Sequence, residues 1–136
     1  MTTPELDPDI VEAPYPFQRH LGFDFAAWRP DYCRLTLPLA HELMNRYGIP
    51  HGGVHAAMLD SAMGFAGCYT GDRDAPRLAM TLSLNVNYLG QARGGVLIAE
   101  GTRTGGGRKT FFAEGKITDE QGTVVATGTG VFRYRG

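Results

Sequence analysis

Residues 45–60 read Asn-Arg-Tyr-Gly-Ile-Pro-His-Gly-Gly-Val-His-Ala-Ala-Met-Leu-Asp, and the rest of the chain is organised around this stretch. A His-Gly-Gly turn at residues 51–53 stands directly before an apolar run. The start of a helix leaves about four backbone N–H groups without intrahelical partners, and no Ser, Thr, Asp or Asn immediately precedes this run to cap them. We therefore expect these N–H groups to be free for an oxygen atom of a ligand.

The apolar run continues to residue 69 and carries a single carboxylate. Val54, Met58 and Phe65 follow helical spacing, while Ala and Gly fill most of the remaining positions. A helix that is apolar or small on nearly every side is typical of one enclosed by its surroundings. Asp60 is costly to bury unless it is paired, protonated or used, so it is a candidate catalytic group. The alternative is a structural carboxylate that binds backbone groups.

Segments with strand character flank this helix. Before it, residues 22–28 have a strand-like composition and residues 33–39 alternate apolar with polar side chains. After it, four strands are predicted, with turn signals between them, at residues 77–89, 96–104, 109–118 and 123–134. In the first of these the apolar positions alternate without a break: Leu78, Met80, Leu82, Leu84, Val86 and Tyr88. This order predicts an α+β fold in which a curved antiparallel sheet of five to six strands wraps one long helix, with the last four strands in a meander.

The first residues differ in composition from the rest of the chain. Residues 1–16 contain four prolines and four acidic residues with little periodic apolar content, so we predict a mobile or loosely docked arm. Residues 17–136 then form a single domain, beginning with a short helix that aligns Phe17 and Leu21. No internal repeat or linker interrupts this domain.

Composition narrows the classes of function. The formal net charge is -1, from 13 Lys and Arg and 14 Asp and Glu, which argues against a dedicated nucleic-acid surface. Cys33 and Cys68 do not suggest a disulfide framework, and no signal peptide is recognisable. Residues 54–69 are shorter than the roughly 20 residues that span a bilayer. We expect a cytoplasmic protein that does not enter a membrane.

The motifs together resemble the hotdog-fold thioesterases of the PaaI-like (phenylacetate-degradation) branch. The resemblance covers nearly the whole chain from residue 16 and lies in three motifs: Pro16-Phe17-x-x-x-Leu21-Gly22-Phe23, Asn45-x-x-Gly48-x-x-His51-Gly52-Gly53 with Asp60, and Gly122-x-Val124-Val125-Ala126. It implies a homodimer, often a dimer of dimers and so a homotetramer, that hydrolyses acyl-CoA thioesters. It implies no metal and no other cofactor, with CoA released as a product.

Helix geometry then predicts how the site is shared. Asp60 lies eight residues beyond Gly52, about 12 Å along the axis, too far for both to touch one carbonyl from the same helix. An antiparallel pair of helices across a two-fold axis would bring Gly52 of one subunit near Asp60 of the other. The amides of Gly52 and Gly53 would receive the developing oxyanion, and Asp60 would act as general base or as nucleophile. Alternatively, Gly52 and Gly53 form only a tight turn.

Three further site residues follow from the family positions. His51 is expected to hold or polarise the thioester, unless it is only a packing or capping residue. Asn45 is expected to orient water or the acyl carbonyl. Thr81 matches a position that often carries a hydroxyl near the carboxylate, although strand alternation puts it on the face opposite Leu82 and Leu84.

Turn-borne cations are candidates for binding the phosphates of CoA. Arg93 precedes Gly94-Gly95, and Arg108 and Lys109 follow three glycines. Such side chains can clamp phosphate oxygens, but solvated charges in hairpin turns are also common.

Other chemistries are weaker readings of the same residues. His51, His55 and Asp60 could suggest a metal, but Asp60 points about 140° away from His55 around the helix. A Cys68 nucleophile lacks a nearby cation, so core packing is the better interpretation. Two alternative functions stay open: a hotdog enoyl-CoA hydratase or dehydratase, and a non-catalytic acyl-CoA-binding module.

Overall fold

A computed structural model describes residues 5–136. Two α-helices occur in this part of the chain, α1 (Pro16–Leu21) and α2 (Gly52–Ala66), with 3₁₀ turns at Pro8–Ile10 and His41–Leu43. The strands are β1 (Asp24–Arg29), β2 (Tyr32–Pro38), β3 (Ala79–Tyr88), β4 (Val96–Gly106), β5 (Thr110–Asp119) and β6 (Val124–Tyr134). None of the helices in the described residues is long and apolar enough to cross a membrane.

The six strands form one antiparallel sheet in the order β1-β2-β4-β5-β6-β3, with α2 packed on one face. The predicted α+β class, with one sheet around one helix, is confirmed. The predicted four-strand meander is wrong, because β3 pairs with β6 at the sheet edge while β4 pairs with β2 and β5. Turn signals identify hairpins between successive strands, but they do not say which sheet edge an earlier strand joins.

Three glycines of the sheet allow the middle of α2 to pack closely against it. Gly101, Gly115 and Gly128 are paired in register on β4, β5 and β6, and we call them the glycine row. A Cβ on Gly101 would lie 2.4 Å from the backbone carbonyl of Ala62, so any side chain there would push the helix away. The helix therefore lies with its backbone almost directly on the sheet, and residues 58, 59, 62 and 63 are completely buried.

A β-bulge interrupts the edge strand β3. The pairing register with β6 shifts between Thr81 and Ser83, so Leu82 is the extra residue. After the bulge, Leu84 and Val86 pack against the core, whereas Leu82 at the bulge is 58% exposed and Met80 before it is also exposed. The apolar alternation of the sequence is therefore not one buried face, because the bulge exchanges the faces halfway along the strand.

The predicted N-terminal arm lies against the domain where the structure describes it. Ile10 is buried, and the carboxylate of Glu5 pairs with the guanidinium of Arg34. Residues 1–4 of the predicted arm lie outside the described residues. The mobility of the arm stays a prediction.

Candidate active site

The first turn of α2 is capped by the residue that precedes it. The side chain of His51 accepts a hydrogen bond at Nδ1 from the N–H of Gly53, at 2.8 Å. The expectation that this helix start has no cap is wrong, because His51 supplies the acceptor that Ser or Asp usually provides. Since Nδ1 accepts, the proton of the neutral ring lies on Nε2, which becomes a donor.

The neighbouring peptide groups are also held. The N–H of Val54 donates to the His51 carbonyl at 2.9 Å, and the Tyr88 hydroxyl donates to the Gly52 carbonyl at 2.5 Å. Within residues 5–136 the N–H of Gly52 makes no hydrogen bond. Two glycine amides were predicted as oxyanion donors. The N–H of Gly52 is free to donate to a ligand, whereas the N–H of Gly53 already donates to His51.

Asn45 organises the loop that leads into this helix. Its Oδ1 accepts from the N–H of Tyr47 at 2.8 Å and from the N–H of Ile49 at 3.3 Å. Gly48 completes the turn with a φ of 77°, a backbone conformation that glycine adopts without strain. The Asn45 side chain also lines a cavity of about 430 Å³ together with Gly52, so the structure brings these two predicted residues together.

His55 and Tyr88 line the same cavity and were not predicted as site residues. The two rings meet edge to face, with centroids 5.7 Å apart, and His55 Nδ1 lies 3.3 Å from the His51 carbonyl oxygen. Burial lowers the pKa of His55, which favours the neutral ring. In the sequence Tyr88 continues the apolar alternation of its strand, so nothing distinguished it from a core residue.

Asp60 is the ninth residue of α2, and its carboxylate is hydrogen-bonded to a side chain of the edge strand β3. The hydroxyl of Thr81 donates to Asp60 Oδ1 at 2.6 Å. Uninterrupted alternation predicts Thr81 on the face opposite Leu84, away from the helix, but the bulge at Leu82 brings Thr81 onto the same face as Leu84 and Val86. Thr81 and Asp60 are therefore neighbours, and Asp60 Oδ2 remains available to a second partner.

A mainly apolar cavity of about 360 Å³ opens beside Asp60, and Glu12 and Arg77 are the other charged residues of its lining. Phe65 and Phe132 line its walls, and Gly64, one helical turn beyond Asp60, leaves space on the same side of α2. Tyr15 of the arm closes another side, with its hydroxyl 3.2 Å from Ser61 Oγ. Burial raises the pKa of the Tyr15 hydroxyl, so it remains protonated at neutral pH.

These residues form two groups in one chain. Asn45 and Gly52 line the cavity at the start of α2, whereas Asp60 and Thr81 line the cavity nearer its end, and no residue belongs to both linings. His51 lies at the start of the helix, at its cap. The structure thus brings the predicted site residues together as two clusters rather than as one.

The three predicted phosphate-binding cations lie in two different places in the structure. Arg108 and Lys109 line a groove of about 630 Å³ with three further arginines, Arg77, Arg133 and Arg135. We call these five side chains the cation groove; neither ion pair found in residues 5–136 includes any of them. Arg77 also lines the cavity that contains Asp60, so the groove adjoins that cavity.

Arg93 lies at the opposite end of β5 from the cation groove. Its backbone N–H donates to Asp119 Oδ2 at 3.0 Å, and this bond, followed by those from Thr123 and Gln121, lowers the pKa of Asp119. Arg93 and the cation groove cannot therefore hold the same phosphate in one chain.

Cys68 lines the Asp60 cavity but is poorly suited to nucleophilic attack. Burial raises the pKa of its thiol to about 11, so it is protonated at neutral pH. This agrees with its interpretation as a packing residue.

Comparison with known proteins assigns the family. The sequence profile described as the thioesterase superfamily matches residues 47–126. A Haemophilus influenzae protein that is provisionally named an esterase is 30% identical over 89 residues, which cover 65% of this chain and 63% of that protein.

Solved structures agree on the fold. A conserved protein of Pseudomonas aeruginosa superimposes with a TM-score of 0.80 at 25% identity, covering 93% of this chain and 97% of the other. The PaaI protein of the Escherichia coli phenylacetic acid degradation operon gives a TM-score of 0.77 at 18% identity, covering 88% and 84%. The predicted hotdog fold and the resemblance to hotdog thioesterases are confirmed.

Proposed function

This chain belongs to the thioesterase superfamily, and we propose that it hydrolyses acyl-CoA thioesters to the free acid and CoA. The observation that carries the proposal is the Asp60 carboxylate, which is held by Thr81 at the edge of an apolar cavity. Asp60 Oδ2 faces no protein donor in the described residues and is free to accept a proton. The aromatic walls of the cavity favour a small aryl or medium-chain acyl group.

In the proposed reaction Asp60 acts as general base on water, or attacks the thioester carbon itself to form an anhydride that water then hydrolyses. The N–H of Gly52 donates to the carbonyl oxygen while negative charge develops on it, a contribution of about 3–4 kcal/mol for a well-aimed donor. The N–H of Gly53 holds the helix start in place by its hydrogen bond to His51. When that hydrogen bond breaks, the same N–H serves as a second donor to the carbonyl oxygen. The C–S bond breaks, and the CoA thiolate leaves and takes up the proton that the consumed water gives up, with no cofactor in the reaction.

Two subunits supply one site in this proposal. Gly52 and Asp60 are separated by about 12 Å along one helix, so the two clusters meet only when a second chain lies antiparallel to the first. The edge strand β3 offers an unpaired backbone and the exposed side chains of Met80 and Leu82 for such a contact, and Leu78 just before the strand is exposed as well. The proposed assembly is a homodimer with two equivalent sites, and a homotetramer formed as a dimer of dimers.

In this proposal the side chains of the cation groove bind the phosphates of CoA. Neither ion pair of the described residues involves Arg108 or Lys109. The groove brings five cations together with no Asp or Glu side chain in its lining, which suits a multiply charged phosphate end. Arg93 remains the alternative, at the other end of β5. The adjacency of the groove to the Asp60 cavity through Arg77 favours Arg108 and Lys109.

Thiol release from a panel of acyl-CoAs tests the function. Benzoyl-, phenylacetyl-, hexanoyl- and palmitoyl-CoA are incubated with the wild-type protein and with Asp60→Asn, and free CoA is followed with a chromogenic thiol reagent. We expect steady release that is fastest for the aryl and hexanoyl substrates and lost in the variant. Tight binding without release would identify a binding module, and water addition to an enoyl-CoA without release would identify a hydratase.

A further inference from the structure

Three contacts at the start of α2 hold two successive peptide groups in place. The peptide between Gly52 and Gly53 is fixed at its N–H by His51 Nδ1 and at its carbonyl by the Tyr88 hydroxyl. The peptide between His51 and Gly52 is fixed at its carbonyl by the N–H of Val54. The N–H of Gly52 belongs to this second peptide, so its direction is set by these neighbours.

Tyr88 is the one of these partners that comes from another element. It is the last residue of β3, and its ring lies so close to Gly52 that a Cβ there would be 3.2 Å from the phenol oxygen. The buried His55 supports the ring edge to face from the side of the helix. The phenol therefore couples the end of the edge strand to the first turn of α2.

We propose that Tyr88 is a positioning residue that holds the first turn of α2 so that the Gly52 N–H stays aimed at the reacting carbonyl oxygen. The inference rests on the proposed function and deepens it by assigning a role to a residue that does not touch the substrate carbonyl. A donor that is already aimed needs no reorganisation when charge develops, which is the source of its catalytic effect. Loss of the phenol bond leaves the donor in place but lets its direction vary.

Tyr88→Phe tests this role, because the ring and its packing on His55 remain and only the hydroxyl is lost. We expect kcat to fall by about five- to fiftyfold, less than the roughly hundredfold or more lost when an oxyanion donor is removed. KM stays within about twofold, since the contact acts mainly in the transition state. A rise in KM with unchanged kcat would assign Tyr88 to substrate binding and would overturn the proposal.

Tyr134→Phe is the matched control. Tyr134 also donates its phenol proton to a glycine carbonyl at the end of α2, that of Gly67, at 2.6 Å. Both variants lose a phenol-to-carbonyl bond on the same helix, but Tyr134 lies at the end remote from Gly52. Because its ring lines the cation groove and lies under Arg77, the two variants are compared through kcat, whereas a phosphate contact acts on KM. A drop in kcat of equal size in both variants would show a general effect of helix stability and would contradict the positioning role.

The carbonyl stretching band of a bound acyl-CoA gives a readout that folding stability does not move. In Asp60→Asn, which we expect to bind substrate and to turn it over at least about a hundredfold more slowly, the Gly52 N–H should shift the thioester band to lower wavenumber than in free acyl-CoA. Adding Tyr88→Phe should remove most of that shift, whereas adding Tyr134→Phe should not. An unchanged band in the Tyr88 variant overturns the proposal, while wild-type protein that releases no thiol overturns the proposed function itself.

Discussion

Thr81 and Asp60 are joined by a hydrogen bond of 2.6 Å that links the edge strand to the middle of α2. The hydroxyl donates to Oδ1 and so fixes the plane of the carboxylate, which leaves Oδ2 as the oxygen that can accept a proton. A hydrogen bond to a charged group contributes about 1.5–3 kcal/mol, enough to hold one orientation.

Thr81→Val should therefore lower kcat by about tenfold or more, because it removes the hydroxyl and keeps the shape of the side chain. Thr81→Ser keeps the donor and should retain most of the activity. Steady-state kinetics on one acyl-CoA measures both variants, with circular dichroism as the check on folding. Equal activity of the Val and Ser variants would separate Thr81 from the chemistry.

Asp60→Asn should keep the fold and lower kcat by at least about a hundredfold, the lower end of what a positioned base contributes. The amide is nearly isosteric with the carboxylate and can still accept from Thr81. Unfolding temperature and kcat are measured on the same preparation. A variant that retains a tenth of the wild-type kcat would rule out Asp60 as the base or nucleophile.

Mixing inactive variants tests the site formed by two chains. Asp60→Asn subunits and His51→Ala subunits should restore activity when they exchange, because a heterodimer contains one site with both residues intact. Native mass spectrometry confirms the exchange, and thiol release measures the recovery. Heterodimers as inactive as either parent would place both residues in the site of a single chain.

Arg108→Ala or Lys109→Ala should raise KM for acyl-CoA at least about fivefold with little change in kcat, since a phosphate contact is made equally in the ground and transition states. A truncated pantetheine thioester, which lacks the nucleotide, should be almost indifferent to either change. Arg93→Ala provides the comparison at the other end of β5. If it alone raises KM, the phosphates bind at that end instead.

Gly101→Ala should destabilise the domain by about 1–3 kcal/mol, because its methyl group would lie 2.4 Å from the Ala62 carbonyl and would lift α2 from the sheet. Gly105→Ala, on the same strand, is the control, since its Cβ would meet nothing within 4 Å. Urea unfolding measures both. Equal stabilities would show that the glycine row is not required for the close approach of α2.

The periodicity of the sequence was enough to predict the long helix and the strands, and it identified Asp60 as the one carboxylate on that helix. Helix α2 starts two residues before the predicted apolar run, because Gly52 and Gly53 already belong to its first turn. It ends at Ala66, three residues before the end of that run. The position of β3 at the β6 edge was not predictable, since it depends on how the strands surround α2 rather than on local turns.

The parts of the site that were missed depend on tertiary contacts. The bulge at Leu82 leaves no signature in an unbroken apolar alternation, yet it decides that Thr81 faces Asp60. The cap by His51 stood only as an alternative to a catalytic role, because histidine is not among the usual capping residues. Tyr88 was hidden by its apolar periodicity, and only its contact with Gly52 distinguishes it.

The glycine row has a consequence for how substrate preference can change. Asp60 is located by contact of the helix backbone with the sheet at Gly101, not by the side chains that line the cavity beside it. Residues of that cavity such as Gly64 and Phe65 can therefore be exchanged for larger or smaller ones while the carboxylate keeps its place. In the proposed enzyme, the element that holds the carboxylate is thus separate from the surface that would select the acyl chain, so the two can be altered independently.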